Sequence, residues 1–99
     1  MELGNGWSAK SVLNGIILEH SDSQKAFYIS PEMFKFIMVY DAAAMNSNSS
    51  AVGHFDGVRI MGMKNRSMPD TLYEFRYPHG VFSFYGSYIR ALDILRRSK

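Results

Sequence analysis

The stretch that decides the fold lies at residues 30–45 and reads Ser30-Pro31-Glu32-Met33-Phe34-Lys35-Phe36-Ile37-Met38-Val39-Tyr40-Asp41-Ala42-Ala43-Ala44-Met45. Three helix-start signals open it. Serine is a good N-cap, proline fits the first helical position, and glutamate suits the positive end of the helix dipole. We therefore predict a helix over residues 31–45.

This predicted helix is apolar nearly all round. Its only charged residues are Glu32, Lys35 and Asp41, and at about 100° per residue Asp41 lies opposite Glu32, so no continuous polar face forms. A helix of this kind is buried on several sides. Because a chain of 99 residues has little material to bury it, we infer that surplus apolar surface is covered by a partner.

The remaining patterns predict an α+β fold. It consists of a small antiparallel sheet, the buried central helix at 31–45 and an amphipathic C-terminal helix at 87–97. We expect Tyr88 in the apolar stripe of the C-terminal helix and Asp93 on its solvent-exposed face. Runs of β-branched, aromatic or alternating residues predict strands, and these runs are 25–29, 58–61, 72–77 and 81–85.

Residues 8–20 fit two structures. A helix capped by Ser8 would place Leu13, Ile16 and His20 on one face, and we favour it although Gly15 costs a helix about 1 kcal/mol relative to alanine. The alternative is a strand at 16–20 that turns into the next strand.

The composition excludes several classes of protein. The chain has 46% hydrophobic residues, 20% charged residues and no cysteine, which removes disulfides, thiolate zinc sites and a cysteine nucleophile. Apolar runs are far shorter than the roughly 18 residues of a membrane span, and residues 1–7 do not form a secretory signal. We expect one domain over 1–99, with a flexible segment at 1–7 and an exposed loop at 46–50. We also expect the protein to be cytoplasmic or virion-associated, without membrane contact.

No pattern points to catalysis. His20, His54 and His79 each lie near a turn without a set of three or four converging metal ligands. The sequence has no Gly-x-Ser-x-Gly elbow and no phosphate-binding glycine pattern before a helix. We therefore expect a protein that is not an enzyme, with no catalytic residues, no metal and no cofactor.

Charge and aromatic residues leave two kinds of partner open. Residues 1–50 carry 3 Lys/Arg and 5 Asp/Glu, whereas residues 51–99 carry 8 Lys/Arg and 4 Asp/Glu. Half of the 14 aromatic residues lie between 73 and 88, and such rings form a core, a protein interface or a base-stacking surface. The candidate protein-contact residues are Met38, Tyr73, Tyr77 and Phe84, and the candidate nucleic-acid-binding residues are Arg76, Arg90, Arg96 and Arg97.

Residues 28–77 also resemble a known family. The segments 28–34 (Tyr-Ile-Ser-Pro-Glu-Met-Phe), 55–60 (Phe-Asp-Gly-Val-Arg-Ile) and 68–73 (Met-Pro-Asp-Thr-Leu-Tyr) are similar to a stretch of tailed-phage major capsid proteins and related small phage proteins. In that family a Ser-Pro-Glu helix precedes a Gly-aliphatic-x-aliphatic strand and a Met-Pro-x-x-Thr turn, which this chain matches at Met-Pro but with one residue fewer before the threonine. The long N-terminal arm and extended loop of a shell subunit are missing, so we do not expect a complete shell protein.

Together these patterns predict a non-catalytic protein-interaction or assembly module. The resemblance implies a phage-encoded protein that is part of a virion or binds a host factor, and the inferred partner is another protein or a second copy. The alternative is a small nucleic-acid-binding module that uses the C-terminal aromatic and arginine residues.

Overall fold

The computed structural model describes residues 2–44 and 48–98. Its elements follow the order β1 (Glu2–Gly4), β2 (Trp7–Val12), β3 (Gly15–His20), β4 (Ala26–Ile29), α1 (Pro31–Ala44), β5 (Ser49–Phe55), β6 (Val58–Lys64), β7 (Leu72–Tyr77), β8 (Gly80–Tyr85) and α2 (Gly86–Arg97). The predicted α+β class is confirmed, but the strands form two antiparallel sheets rather than one.

The same order of elements occurs twice. Strands β1–β4 form the first sheet in sequential order and are followed by α1, and strands β5–β8 form the second sheet in sequential order and are followed by α2. Helix α1 packs on β5 and β6, whereas α2 packs on β2 and β3 and also contacts β8. Each helix therefore lies on the sheet of the other four-strand unit, and one core joins both units.

The favoured helix at 8–20 is wrong. Residues 7–12 and 15–20 are two strands of one hairpin, joined by Leu13 and Asn14 with φ of 53° and 64°. Two consecutive positive φ values define the type I′ turn that matches the twist of paired strands. Gly15 is required here, because a Cβ at this position would collide with the carbonyl oxygen of Ile29 in β4.

The segments predicted to be flexible, 1–7, and to form an exposed loop, 46–50, both contain strand residues. Residues 2–4 form β1, which pairs with β2 through an Asn5-Gly6 turn. The predicted loop at 46–50 falls partly on residues outside the described part of the chain. Asn48 is exposed and irregular, and Ser49 and Ser50 already belong to β5.

Helix α1 begins as predicted, with the backbone N–H of Met33 donating to the Ser30 hydroxyl at 3.3 Å. The last predicted residue, at position 45, lies outside the described residues. The helix is not buried on several sides. One face enters the core, while the other leaves Glu32, Lys35 and Val39 exposed, and Val39 is 65% accessible. The exposed apolar residues of α1 are thus Val39, Ala42 and Ala43.

Helix α2 is rotated relative to the prediction. Asp93, expected in solvent, is buried, and Tyr88, expected in the apolar stripe, is 44% exposed. Asp93 is buried because two arginines neutralise it: Arg96 Nε donates to it at 2.7 Å and Arg97 lies 2.9 Å away. The Arg96 guanidinium also lies over the Phe34 ring, 5.0 Å from its centre, and so ties α2 to α1.

Candidate functional site on the outer face of the second sheet

The second sheet has one buried face and one open face. Along β7, Tyr73, Phe75 and Tyr77 point into the core, as the alternation predicts, so Leu72, Glu74 and Arg76 point outward. The strand register extends this outer face into three rows across β5, β6, β7 and β8. The first row is Ser50, Met63, Leu72 and Tyr85, the second is Val52, Met61, Glu74 and Ser83, and the third is His54, Arg59, Arg76 and Val81.

Apolar side chains are concentrated on this face. Eight large hydrophobic residues of the described chain are strongly exposed, and four of them lie here: Val52 at 47%, Met63 at 39%, Val81 at 50% and Tyr85 at 44%. The half-buried Met61 and Leu72 connect Val52, Met63 and Tyr85 into one patch, whereas Val81 lies beside Arg76 and Ser83 at its margin. Isolated exposed hydrophobic residues are ordinary, but a contiguous group on one sheet face is typical of an interaction surface. We call the three rows the outer face.

Positive charge lies at one end of the outer face. The Arg59 side chain makes no hydrogen bond or ion pair within the described residues, and its neighbour His54 is exposed. Arg76 lies 3.3 Å from Glu74, and its side chain is 54% accessible, so this pair is weakened by water and salt. The third row is thus basic, whereas the first row is neutral and mostly apolar.

The predicted protein-contact residues do not form this surface. Tyr73 and Tyr77 are 0% and 8% exposed, and their hydroxyls donate internally, to Asp41 at 3.0 Å and to the Tyr28 carbonyl at 2.7 Å. Burial raises the pKa of both phenols, and the Asp41 carboxylate raises that of Tyr73 further. Their polar ends complete the core rather than meeting a partner. Met38 and Phe84 are only partly exposed and pack against the same core.

The predicted nucleic-acid-binding arginines are not brought together with an aromatic surface. Phe75 stacks on Phe82 inside the molecule at 4.8 Å, and of the β7 and β8 rings only Tyr85 points outward, two rows away from Arg76. Arg76 lies on the outer face, but the α2 arginines are paired with carboxylates. Arg90 pairs with Asp41 and Asp70, and Arg96 and Arg97 pair with Asp93. The expected stacking surface is therefore absent from β7 and β8.

Asp70 and Arg90 form an ion-pair and hydrogen-bond network, here called the tie, that joins α1, α2 and the segment before β7. Arg90 Nη1 donates to Asp41 of α1 at 2.7 Å and Nη2 to Asp70 at 3.2 Å, while the N–H groups of Thr71 and Ser87 donate to Asp70 at 2.8 Å. Burial alone would raise the pKa of Asp70. The two N–H groups and the Arg90 guanidinium outweigh it and hold that pKa below its usual value of 3.8. This network is structural and lies apart from the outer face.

The histidines have separate roles. His20 Nε2 bonds the Asn5 carbonyl at 3.0 Å and Nδ1 accepts from the Asp22 N–H at 3.3 Å. His79 stacks on Phe27 at 4.7 Å, and His54 belongs to the outer face. A cavity of about 440 Å³ beside His20 is lined mainly by polar residues. Within residues 2–44 and 48–98, no three His, Asp or Glu side chains are placed to share a metal ion.

Neither helix is long and apolar enough to cross a membrane, as far as the described residues show.

No protein-family model, curated protein or solved structure matches this chain. The resemblance of residues 28–77 to a capsid segment therefore stays a prediction.

Sequence reasoning missed the outer face for an identifiable reason. Residues 49–64 carry apolar side chains at both odd and even positions, so their periodicity does not show which set faces out. The alternation of residues 72–77 does identify one residue of the outer face, because Leu72 has the same parity as Glu74 and Arg76. Val52, Met61 and Met63 join it only through the register of three neighbouring strands, which is a long-range property of the fold.

Proposed function

We propose that this chain is a non-catalytic protein-binding module whose contact surface is the outer face of the second sheet. The observation that carries the proposal is the cluster of exposed Val52, Met63, Val81 and Tyr85 on one sheet face. An antiparallel sheet with one face on the core normally shows polar residues on its other face. The role as a virion component or host-factor-binding protein, implied by residues 28–77, is one form of this function.

The chemistry of the face supports a protein partner. Methionine, tyrosine and arginine are enriched in protein interfaces, and the flexible methionine side chain adapts to irregular contact surfaces. The face holds two methionines, one tyrosine and two arginines within its three rows. Burial of apolar area here would contribute roughly 25 cal/mol per Å² before the costs of association.

The test uses a matched pair of substitutions. A displayed library of random peptides is selected on the immobilised wild-type protein, and the selected peptides are then measured for binding to Val52→Gln and Val39→Gln. Both variants replace an exposed valine by an uncharged polar residue, but Val52 lies on the outer face and Val39 on the exposed side of α1. We expect Val52→Gln to lose binding and Val39→Gln to keep it. Equal binding by both variants would refute the proposed surface.

A further inference from the structure

The outer face carries its charge asymmetrically. Arg59 and Arg76 lie in the third row beside His54; Glu74 is the only acidic residue in the three rows, and Asp56 is exposed in the adjoining β5–β6 turn. Arg59 has no internal partner among the described residues, and Arg76 shares its charge with Glu74 in a solvent-exposed pair. An unpaired arginine at the margin of an apolar patch is matched by a carboxylate, with which it forms two parallel hydrogen bonds.

A second copy of the chain matches this face poorly. Two copies can stack their outer faces with aligned strands in two symmetric ways. If the two-fold axis runs parallel to the strands, β6 of one copy lies over β7 of the other, and Arg59 then faces Arg76 of the second copy. If the axis runs across the strands, the first row of one copy lies over the third row of the other, and Met63 faces Arg59 of the second copy. Like charges opposed in an interface repel each other, and an unpaired charge against an apolar side chain loses its hydration.

We propose that the occupant of the outer face is an acidic segment of another protein, with carboxylates set beside its apolar contact residues. This inference rests on the proposed function and names its partner chemistry. The apolar side chains of the segment pack on Met63, Leu72 and Tyr85, and its carboxylates bind Arg59 and Arg76.

The register fixes the spacing that the partner needs. Met63 in the first row and Arg59 in the third are four residues apart on β6, which is about 13 Å at the rise of a strand. An extended partner segment therefore places its acidic residues about four positions from its apolar anchor, whereas a helical segment needs about nine positions to cover the same distance.

The experiment uses the peptides selected on the wild-type protein and a second matched pair, Arg59→Glu and Arg66→Glu. Arg66 is exposed in the loop after β6, roughly 20 Å along the strand direction from Arg59. Circular dichroism confirms that each variant keeps its fold. Affinities are measured by fluorescence anisotropy at low and high salt.

The inference predicts selected peptides rich in Asp and Glu beside apolar residues. It also predicts an affinity loss of at least about tenfold in Arg59→Glu, no more than about twofold in Arg66→Glu, and weaker binding as salt rises. If Val52→Gln loses binding but Arg59→Glu does not, or the peptides that Val52→Gln fails to bind show no acidic bias, the acidic partner is wrong and the proposed surface stands. If neither Val52→Gln nor Arg59→Glu affects binding, both proposals fail. A dimer in sedimentation velocity that Val52→Gln dissociates would also overturn the acidic partner, in favour of a second copy.

Discussion

Leu13 holds a backbone conformation that its residue type disfavours. Its φ is 53°, and its side chain is 82% exposed at the tip of the β2–β3 hairpin. The left-handed region costs a residue with a Cβ roughly 1–2 kcal/mol, whereas asparagine tolerates it. The exposed side chain gains little from packing in return.

We therefore expect Leu13→Asn to raise the free energy of unfolding by about 0.5–1 kcal/mol, because asparagine is favoured in a type I′ turn. Leu13→Ala removes the same exposed side chain without improving the turn and serves as the control, with a change within about 0.5 kcal/mol. Urea denaturation at neutral pH measures both. A Leu13→Asn variant that is less stable than the wild type would contradict the turn assignment.

Substitutions at and around Asp93 measure how much the pairing of a buried carboxylate contributes to stability. Its carboxylate is held by Arg96, a largely buried partner, and by Arg97, whose side chain is 62% exposed. Asp93→Ala leaves the Arg96 guanidinium without its main acceptor, and we expect a loss of about 2–4 kcal/mol in unfolding free energy. Arg97→Ala removes only the exposed partner and should cost at most about 1 kcal/mol. Thermal and urea unfolding of both variants would show whether the two losses differ as stated.

At the scale of the elements, the tie made by Asp70 and Arg90 joins α1, α2 and the segment before β7. The pKa of Asp70 is lower in the folded chain than its usual value of 3.8. Its contribution to stability is therefore fully present above that usual value and is lost as the pH falls through the lowered folded pKa.

Asp70→Asn is expected to lower the unfolding free energy at neutral pH by about 1–2 kcal/mol, because charge-assisted hydrogen bonds from two N–H groups and Arg90 become weaker. The gap between variant and wild type should narrow below about pH 4 as the wild-type carboxyl is protonated. Chemical denaturation over a pH series gives both curves. A gap of constant size at every pH would show that the charge of Asp70 is not what stabilises the tie.

The elements also show how far the sequence could predict the structure. Local signals were sufficient for α1, whose Ser30 cap and Pro31 start are present, and for β7, whose alternation is complete. They failed at residues 8–20, because a leucine in a position usually taken by asparagine or glycine conceals the turn. The division into two sheets, the burial of Asp93 and the outer face all depend on strand register and helix placement between distant segments, which one sequence does not display.

At the scale of the whole molecule, the two four-strand units exchange helices and share one core. The radius of gyration is 13.1 Å, close to the value of about 13 Å for a compact chain of this length. We expect a single unfolding transition, because neither unit can cover its sheet without the other unit's helix.

Trp7 offers a direct measurement of this cooperativity. As the only tryptophan, it packs in the first sheet against Phe82 and Phe84 of the second. Its fluorescence therefore reports contact between the units, while far-ultraviolet circular dichroism reports strands and helices throughout. The two signals should change at the same urea concentration, and a fragment of residues 48–98 should show no cooperative transition. Separated midpoints would mean that the units unfold independently.

The exchanged helices bear on how the chain can fold while it is being synthesised. Helix α1 leaves the ribosome before β5 and β6, which cover its apolar face, and β2 and β3 leave it long before α2, which covers them. The apolar surface of the first sheet therefore stays uncovered until α2 has emerged, and the core closes only after nearly all of the described residues are available.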